Sequence, residues 1–221
     1  MEKKERKRES DVVKQDTELQ QSELRALSAE ELASQAKQGC EASFAELAER
    51  YRERLFHFLH HKTGSVQDAE DLVQDTFVKA YQNIHRYNGS WKFSTWLFTI
   101  ARRLASSHYR SLRCSQSVEV ESGRAEPKEM ATREEAQQGL WAIARGLSKN
   151  QYQALRLRYA EDMSIKEIAQ VLRKSQVNVK VILYRARVNM AERLRNTAVE
   201  DEAADKMSSK ERVSFMKVEG A

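Results

Sequence analysis

The sequence predicts an all-α protein built from two small helical domains. Only seven Gly and one Pro occur in 221 residues, and strong helix formers such as Ala, Leu, Glu, Lys and Arg dominate the rest. Apolar residues recur with the helical period on both sides of residues 114–131, a stretch that loses this period and holds the single proline. We therefore predict a linker at 114–131 between one domain at 23–113 and another at 132–198.

Capping signals and apolar periodicity define the helices of the first domain. Ser28, followed three residues later by Glu31, forms a capping box that predicts a helix start. Apolar residues keep the helical period from there to residue 59, with a break at Gly39, and again over a predicted helix at about 66–85. The loop RYNGSW (86–91) ends that helix, and a further helix is predicted over 94–112.

The second domain is predicted to contain four helices. Their starts are marked by two capping boxes and two serine N-caps: Thr132 with Glu135, Ser164 with Glu167, Ser148 and Ser175. The last two helices, ending at about 172 and 195, are separated by only a few residues. Two helices joined by so short a turn predict a helix-turn-helix domain.

Charge is segregated along the chain. The formal net charge is +5, but residues 102–113 carry four Arg and no acid, and residues 173–195 carry seven Lys or Arg against Glu192 alone. Two separate basic patches favour a polyanion as the partner. Residues 1–22 mix basic and acidic side chains with few apolar ones and are predicted to be disordered. No function is assigned to them or to the tail at 199–221.

The sequence has neither a signal peptide nor a long apolar run, which predicts a cytoplasmic protein without membrane insertion. The two cysteines, Cys40 and Cys114, are far apart and have no metal-like spacing, as expected in a reducing compartment.

The last helix carries two apolar stripes on opposite sides. One stripe is predicted to face the core (Val179, Leu183, Ala186, Met190), and core packing does not explain the other (Val177, Val181, Tyr184, Val188). On a recognition helix, such methyl groups can meet thymine methyls while amides read base edges. The predicted DNA-binding residues are Lys174, Ser175, Gln176, Val177, Asn178, Lys180, Val181, Tyr184 and Arg187. The alternative is a solvated basic helix packed against a protein partner.

Three segments together resemble bacterial sigma factors of the extracytoplasmic-function (ECF) group. They are DAEDLVQDTFVKAY (68–81), WKFSTWLFTIARRLASSHYR (91–110) and MSIKEIAQVLRKSQVNVKVILYRARVNMAERL (163–194). The resemblance covers about residues 28–113 and 132–195. It implies that the first domain is similar to sigma region 2, which docks on the polymerase clamp coiled coil and melts and reads the −10 element. The second is similar to region 4, which reads the −35 element and touches the polymerase flap.

The resemblance implies core RNA polymerase and promoter DNA as partners and no enzymatic activity; an anti-sigma factor is common in the group. It assigns polymerase binding to Asp71, Leu72, Gln74, Asp75 and Phe77. Contacts to the −10 strand are expected from a loop suited to holding an extruded base and from the arginines that follow: Asn88, Gly89, Ser90, Trp91, Lys92, Arg102, Arg103 and Arg110.

Not every aromatic ring in this segment is expected to touch DNA. Phe93 and Trp96 have the spacing of a buried helix face, whereas Trp91 fits either the core or the DNA surface. The chain departs from housekeeping sigma factors by carrying Thr99 and Ile100 where they carry a tryptophan pair, which implies weaker melting and stricter promoter choice. It also has Arg173 where the group often has Gly, Asn178 where the group often has Thr, and Ile182 where the group often has Arg.

Two further functions compete with this interpretation. A helix-turn-helix regulator that binds DNA without polymerase is the main alternative. A nuclease is less favoured, because Asp71 and Asp75 could hold Mg²⁺ but no second acidic cluster accompanies them. The histidines at 57, 60 and 61 lack Cys or carboxylate ligands at zinc spacing. The sequence therefore predicts no metal and no cofactor.

Overall fold

The computed structural model describes residues 21–115 and 135–196, and within these ranges it contains helices and turns but no strand. The helices are α1 (21–26), α2 (Ala29–Lys37), α3 (Glu41–Thr63), α4 (Val66–Gln82), α5 (Phe93–Ser115), α6 (Glu135–Ala144), α7 (Lys149–Tyr159), α8 (Ile165–Leu172) and α9 (176–196). The all-α prediction with two helical units is confirmed.

Element ends differ from the predictions by a few residues. Residues 21 and 22, inside the stretch predicted to be disordered, belong to helix α1, and α5 includes Ser115, two residues into the predicted linker. Helix α4 ends at Gln82 rather than 85, because a 3₁₀ turn at Ile84–Arg86 turns the chain and buries Ile84. Residues 1–20, 116–134 and 197–221 lie outside the described residues, and so does the predicted N-cap at 132.

The first unit, α1 to α5, is held together by an aromatic and aliphatic core. Phe58 of α3 meets Phe98 of α5 edge to face with ring centroids 5.2 Å apart, and Phe93 meets Tyr51 at 5.7 Å. Phe58, Phe93 and Phe98 are fully buried, so each contributes on the order of 2–3 kcal/mol through apolar burial. The N-terminus of α5, which starts next to the 88–92 loop, is therefore fixed in the core.

The second unit, α6 to α9, confirms the predicted helix starts that lie in the described residues. Ser148 pairs with Gln151, and Ser164 with Glu167, as capping boxes. The hydroxyl of Ser175 accepts a hydrogen bond from the Asn178 backbone N–H at 3.2 Å and so caps α9. The four helices predicted after the linker are thus present in the described residues.

The two units pack against each other. Helix α8 lies along α5, and α7 lies against the C-terminal half of α3. This contact brings the turn before α8 next to the 88–92 loop.

Candidate nucleic-acid interface

Helix α9 presents the two stripes that its sequence predicts. Val179, Leu183 and Ala186 are buried and Met190 is half-buried against the core. On the other side, Val177 is 72% exposed and Tyr184 is 66% exposed, with Val181 and Val188 about 40% exposed. Ile182 lies between the stripes, half-buried against the core. The outer stripe has no partner within the described residues.

Polar and basic side chains surround the N-terminal half of that outer stripe. Gln176, Asn178 and Lys180 are exposed, and Lys174 is half-buried in the turn. The guanidinium of Arg187 donates from Nε to the Leu183 carbonyl at 3.3 Å. Amides, exposed methyl groups and cations on one helix face are the group types that bind base edges, thymine methyls and phosphates.

The 88–92 loop is ordered by hydrogen bonds within it and from Tyr87. The Asn88 side-chain oxygen accepts a hydrogen bond from the Ser90 N–H at 3.1 Å, and Gly89 adopts φ +71°, which favours glycine. The Tyr87 hydroxyl donates to the Trp91 carbonyl at 3.0 Å. These bonds hold Asn88, Gly89, Ser90 and Lys92 on the surface, where all four are exposed.

The aromatic side chains of this segment divide between core and surface. Phe93 is buried, and Trp96 is half-buried with its ring 5.5 Å from Tyr87 and 5.7 Å from Phe93, so both are core residues as the spacing predicts. Trp91 is half-buried, and the Lys166 ammonium of α8 lies 5.1 Å from its ring centroid. The face of the Trp91 ring therefore meets the second unit.

The basic face of α5 begins beside the same contact. Arg103 and Arg110 are exposed, while Arg102 is half-buried, and burial together with nearby Arg173 lowers the pKa of its guanidinium. Arg103 lines a cavity of about 220 Å³ whose other walls come from both units, including Trp91 and Gln170. Thr99 is buried and donates to the Thr95 carbonyl at 2.7 Å, and Ile100 is half-buried, so neither residue projects as a wedge.

The acidic helix α4 exposes most of its predicted polymerase contacts. Asp71, Gln74 and Asp75 are exposed, and Phe77 is half-buried. Leu72 is only 3% exposed, so its assignment to direct polymerase contact is corrected: it packs in the core and supports the exposed face from below. The apolar side of α4 thus packs in the core, and the acidic side is exposed.

Two carboxylates of the second unit contact the first unit, and no sequence pattern indicated these contacts. Glu161, whose side chain is fully buried, lies 2.6 Å from Arg54 Nη2 of α3 and accepts a hydrogen bond from Arg54 Nε at 3.1 Å. Burial raises the pKa of Glu161 despite this pairing. Glu167 accepts a hydrogen bond from the Thr95 hydroxyl at 3.1 Å. The partners are 107 and 72 residues apart, so no local pattern could reveal the pairs.

Histidines of α3 form the other edge of the contact between the units. His61 stacks on Tyr152 and its Nε2 lies 3.1 Å from the Arg145 carbonyl. Lys149 donates to the Lys62 carbonyl at 3.0 Å, and its ammonium lies 5.5 Å from the centroid of the Tyr109 ring. Burial, and then the charges of Arg102 and Lys149, lower the pKa of Lys62 to about 8.

The described ranges contain neither a metal-binding group of side chains nor a helix able to cross a membrane. No three His, Cys, Asp or Glu side chains there are grouped to hold a metal ion. Asp71, considered above as a magnesium ligand, accepts a hydrogen bond from Gln67 at 3.3 Å on the helix surface. Across the same residues, every helix is too short or too polar to cross a bilayer.

Two family models match the chain, one on each unit. The model of Sigma-70 region 2 matches residues 47–114, and that of Sigma-70, region 4 matches residues 137–190. The first match ends at residue 114, the first residue of the predicted linker, and the second match lies inside residues 132–198.

Named relatives agree with the family models. The chain is 30% identical over 161 residues to the ECF RNA polymerase sigma factor SigM of Bacillus subtilis, a match that covers 71% of this chain and 98% of SigM. It is 26% identical to the ECF RNA polymerase sigma factor BldN of Streptomyces coelicolor, covering 71% of this chain but 62% of BldN. A solved structure of the sigma factor RpoE with the anti-sigma factor NepR from Bartonella quintana matches with TM-score 0.53 at 25% identity, covering 68% of this chain and 97% of RpoE.

Proposed function

This chain belongs to the ECF group of RNA polymerase sigma factors, and we propose that its two helical units divide promoter recognition between them. It is an alternative sigma factor that binds core RNA polymerase and directs initiation at selected promoters, not a stand-alone regulator. Sigma factors are initiation factors rather than enzymes. We propose that it acts in the cytoplasm and that, like RpoE, it has an anti-sigma partner.

The second unit reads the −35 element with α9. The observation that carries this assignment is the outer stripe of α9, where Val177 and Tyr184 are largely exposed although the opposite stripe is buried. Asn178 and Gln176 supply amides to base edges, and Lys174, Lys180 and Arg187 supply charge to phosphates. Ser175 fixes the start of the helix, so its role is to position the amides that follow.

The first unit binds the melted −10 strand with the 88–92 loop and the basic face of α5. The loop is short, ordered by its own hydrogen bonds and rich in small residues, which suits close approach to an unstacked base. Trp91 offers a ring face for stacking, and Arg102, Arg103 and Arg110 offer charge to the strand backbone. Because Thr99 and Ile100 do not project as a wedge between base pairs, we expect promoter melting to depend on capture of the opened strand.

The first unit docks on polymerase with the acidic face of α4. Asp71, Gln74 and Asp75 form an exposed polar surface and Phe77 adds an apolar edge. Such a surface complements a basic coiled coil of the clamp, and electrostatic complementarity of this kind sets partner choice and association rate.

Binding to duplex promoter with and without core polymerase tests this function. Transcript start sites mapped after overexpression would define a promoter fragment from their shared upstream motif. We expect tight binding and run-off transcription from that fragment only when core enzyme and this chain are both present. Equally tight binding to the duplex by the chain alone, without any transcript in the presence of core, would support the stand-alone regulator instead.

A further inference from the structure

Helix α2 holds both ends of the 88–92 loop. At the first end, the Lys37 ammonium donates a hydrogen bond to the Tyr87 carbonyl at 3.2 Å. At the other end, a Glu30 side-chain oxygen accepts a hydrogen bond from the Phe93 backbone N–H at 3.1 Å. The partners are 50 and 63 residues apart in the sequence. The loop, which follows α4, is therefore bound to a helix that precedes α3.

The spacing of the two α2 side chains suits this contact. Glu30 and Lys37 are seven residues apart, which is close to two helical turns, so they lie on one face of α2 about 10 Å apart along its axis. The helix is itself held in place, because Leu32 and Ala33 are fully buried and Ser28 forms a capping box at its start. Helix α2 thus gives the loop two fixed points of attachment.

The bond from Glu30 satisfies a helix end. Phe93 is the first residue of α5, and the first backbone N–H groups of a helix have no acceptor within the helix. Glu30 supplies an acceptor, and its negative charge is favourable at the positive end of the helix dipole. Phe93 directly follows Lys92, so this bond is made where the loop ends.

The bond from Lys37 reaches the residue that also ties the loop to itself. Tyr87 accepts a hydrogen bond from Lys37 through its carbonyl, and its hydroxyl donates to the Trp91 carbonyl at 3.0 Å. Burial, and then the interactions with Glu30 and Tyr51, raise the pKa of Tyr87 to about 12, so the hydroxyl keeps its proton at neutral pH. The internal bond of the loop therefore starts from a residue that α2 holds.

Glu30 also borders the space in front of the loop. It lines a cavity of about 390 Å³ together with Gly89, Trp91 and Lys92. A Cβ added at Gly89 would meet nothing within 4 Å, so this side of the loop is open. Hydrogen bonds weaken steeply when their distance or angle changes. Recognition of a base by this loop would therefore depend on the orientation of the loop.

We propose that Glu30 and Lys37 are positioning residues for the −10 strand: by holding the two ends of the 88–92 loop, they set the orientation in which the loop meets an unstacked base. The proposal rests on the proposed role of that loop in strand binding. Base preference at the −10 element is then determined partly by α2, a helix that none of the predicted DNA contacts includes.

The test uses holoenzyme assembled from core polymerase and the full-length chain. Open-complex formation on promoters varied at each −10 and −35 position gives the discrimination between the best and the next-best base at that position. Hydrogen exchange of the free chain, followed by mass spectrometry, reports the order of residues 87–93 without DNA. Glu30 and Lys37 are otherwise exposed, so their substitution leaves no cavity in the core.

The decisive variants, Glu30→Ala and Lys37→Met, remove one bond each. We expect faster exchange confined to residues 87–93 and a loss of −10 discrimination of at least about threefold, on the scale of one net hydrogen bond, with −35 discrimination unchanged. Glu30→Gln keeps an acceptor and Lys37→Arg keeps a donor, so both should retain the discrimination of the wild type. Glu23→Ala is the matched control and should change neither signal: it removes the same charge from α1, where the exposed Glu23 side chain has no hydrogen bond or ion pair with any described residue.

The outcomes separate this proposal from the function on which it rests. If Gly89→Ala changes −10 discrimination but Glu30→Ala and Lys37→Met do not, the positioning role is overturned and the loop assignment stands. Equal losses at the −10 and −35 positions would show a general loss of stability and overturn it too. A loss in Glu30→Gln as large as in Glu30→Ala would overturn the role of Glu30, because the acceptor is kept. If none of these variants changes discrimination, the 88–92 loop does not read the −10 element, and the positioning role falls with it.

Discussion

The imidazole of His61 lies flat on the phenol ring of Tyr152, with ring centroids 3.7 Å apart and planes 7° apart. Its Nε2 lies 3.1 Å from the Arg145 carbonyl, which requires the proton on Nε2 and leaves buried Nδ1 without a hydrogen-bond partner. Burial lowers the pKa of His61, and the charges of Lys149, His60 and Arg145 lower it further. The contact between the units is therefore built on a neutral histidine.

We predict that acidification weakens this contact. Because the pKa of His61 is lowered where the units are in contact, its contribution is fully present above the ordinary value of 6.5 and is lost as the pH falls through the lowered pKa. The pKa values of His57 and His60 are also lowered, so acidification weakens their contributions as well. The pKa of Glu161 is raised, so its titration has the opposite effect. Energy transfer between dyes on the two units should fall between pH 7.5 and 5.5.

The variant His61→Phe isolates the contribution of that residue, since it keeps a ring on Tyr152 and removes the titration. We expect the pH dependence of its energy transfer to be shallower than that of the wild type. The same slope in both chains would assign the pH response to groups other than His61.

Backbone strain in the helix-turn-helix gives a second prediction. Arg173 ends α8 in the left-handed conformation, with φ 50° and ψ 50°, where a Cβ is unfavourable. Arg173→Gly should relieve this strain and raise the free energy of unfolding by up to about 1 kcal/mol, after the larger chain entropy of glycine is subtracted. Thermal denaturation followed by circular dichroism measures it. Arg173→Ala, which removes the charge but keeps the Cβ, is the control and should not share the gain.

Local patterns predicted the helices well because each is specified by its own residues. The capping boxes at Ser28 and Ser164 and the two stripes of α9 appear as expected, since caps and amphipathic periodicity act within a few residues. Leu72 was misjudged because a resemblance gives a residue's position on a helix but not which side faces the core. The Arg54–Glu161 pair joins residues 107 apart, and no local rule links them.

A third prediction concerns polymerase docking by α4. Asp75→Arg reverses the charge of an exposed residue, so we expect weaker binding to core polymerase and unchanged helicity. Leu72→Ala provides the contrast: it should cost about 2–5 kcal/mol of stability because the side chain is buried. A pull-down at several salt concentrations checks the first change and denaturant unfolding the second. Full affinity for core enzyme in Asp75→Arg would contradict the assigned face.

A fourth prediction concerns the −10 strand. Arg103 is exposed on α5, so Arg103→Ala should weaken binding to all strands alike and flatten the salt dependence of the affinity. Gly89→Ala introduces a Cβ at φ +71°, where nothing lies within 4 Å, so its effect comes from backbone strain in the loop. We expect it to alter base preference more than total affinity. Open-complex formation on promoters varied at each −10 position separates a loss of affinity from a change in base preference. If neither variant changes open-complex formation, the strand binds another surface.

The fifth prediction uses α9 to separate base reading from phosphate binding. Asn178 is exposed beside Val177 and Val181, so Asn178→Ala should cost on the order of 1–3 kcal/mol at one base pair of the −35 element and little elsewhere. Lys180→Ala should lower affinity for every sequence by a similar factor, because a phosphate contact carries no sequence information. Holoenzyme binding to a set of single-substituted promoters measures both patterns. Unchanged base preference in Asn178→Ala together with altered preference in Val188→Ala would show that the helix enters the groove nearer its C-terminal half.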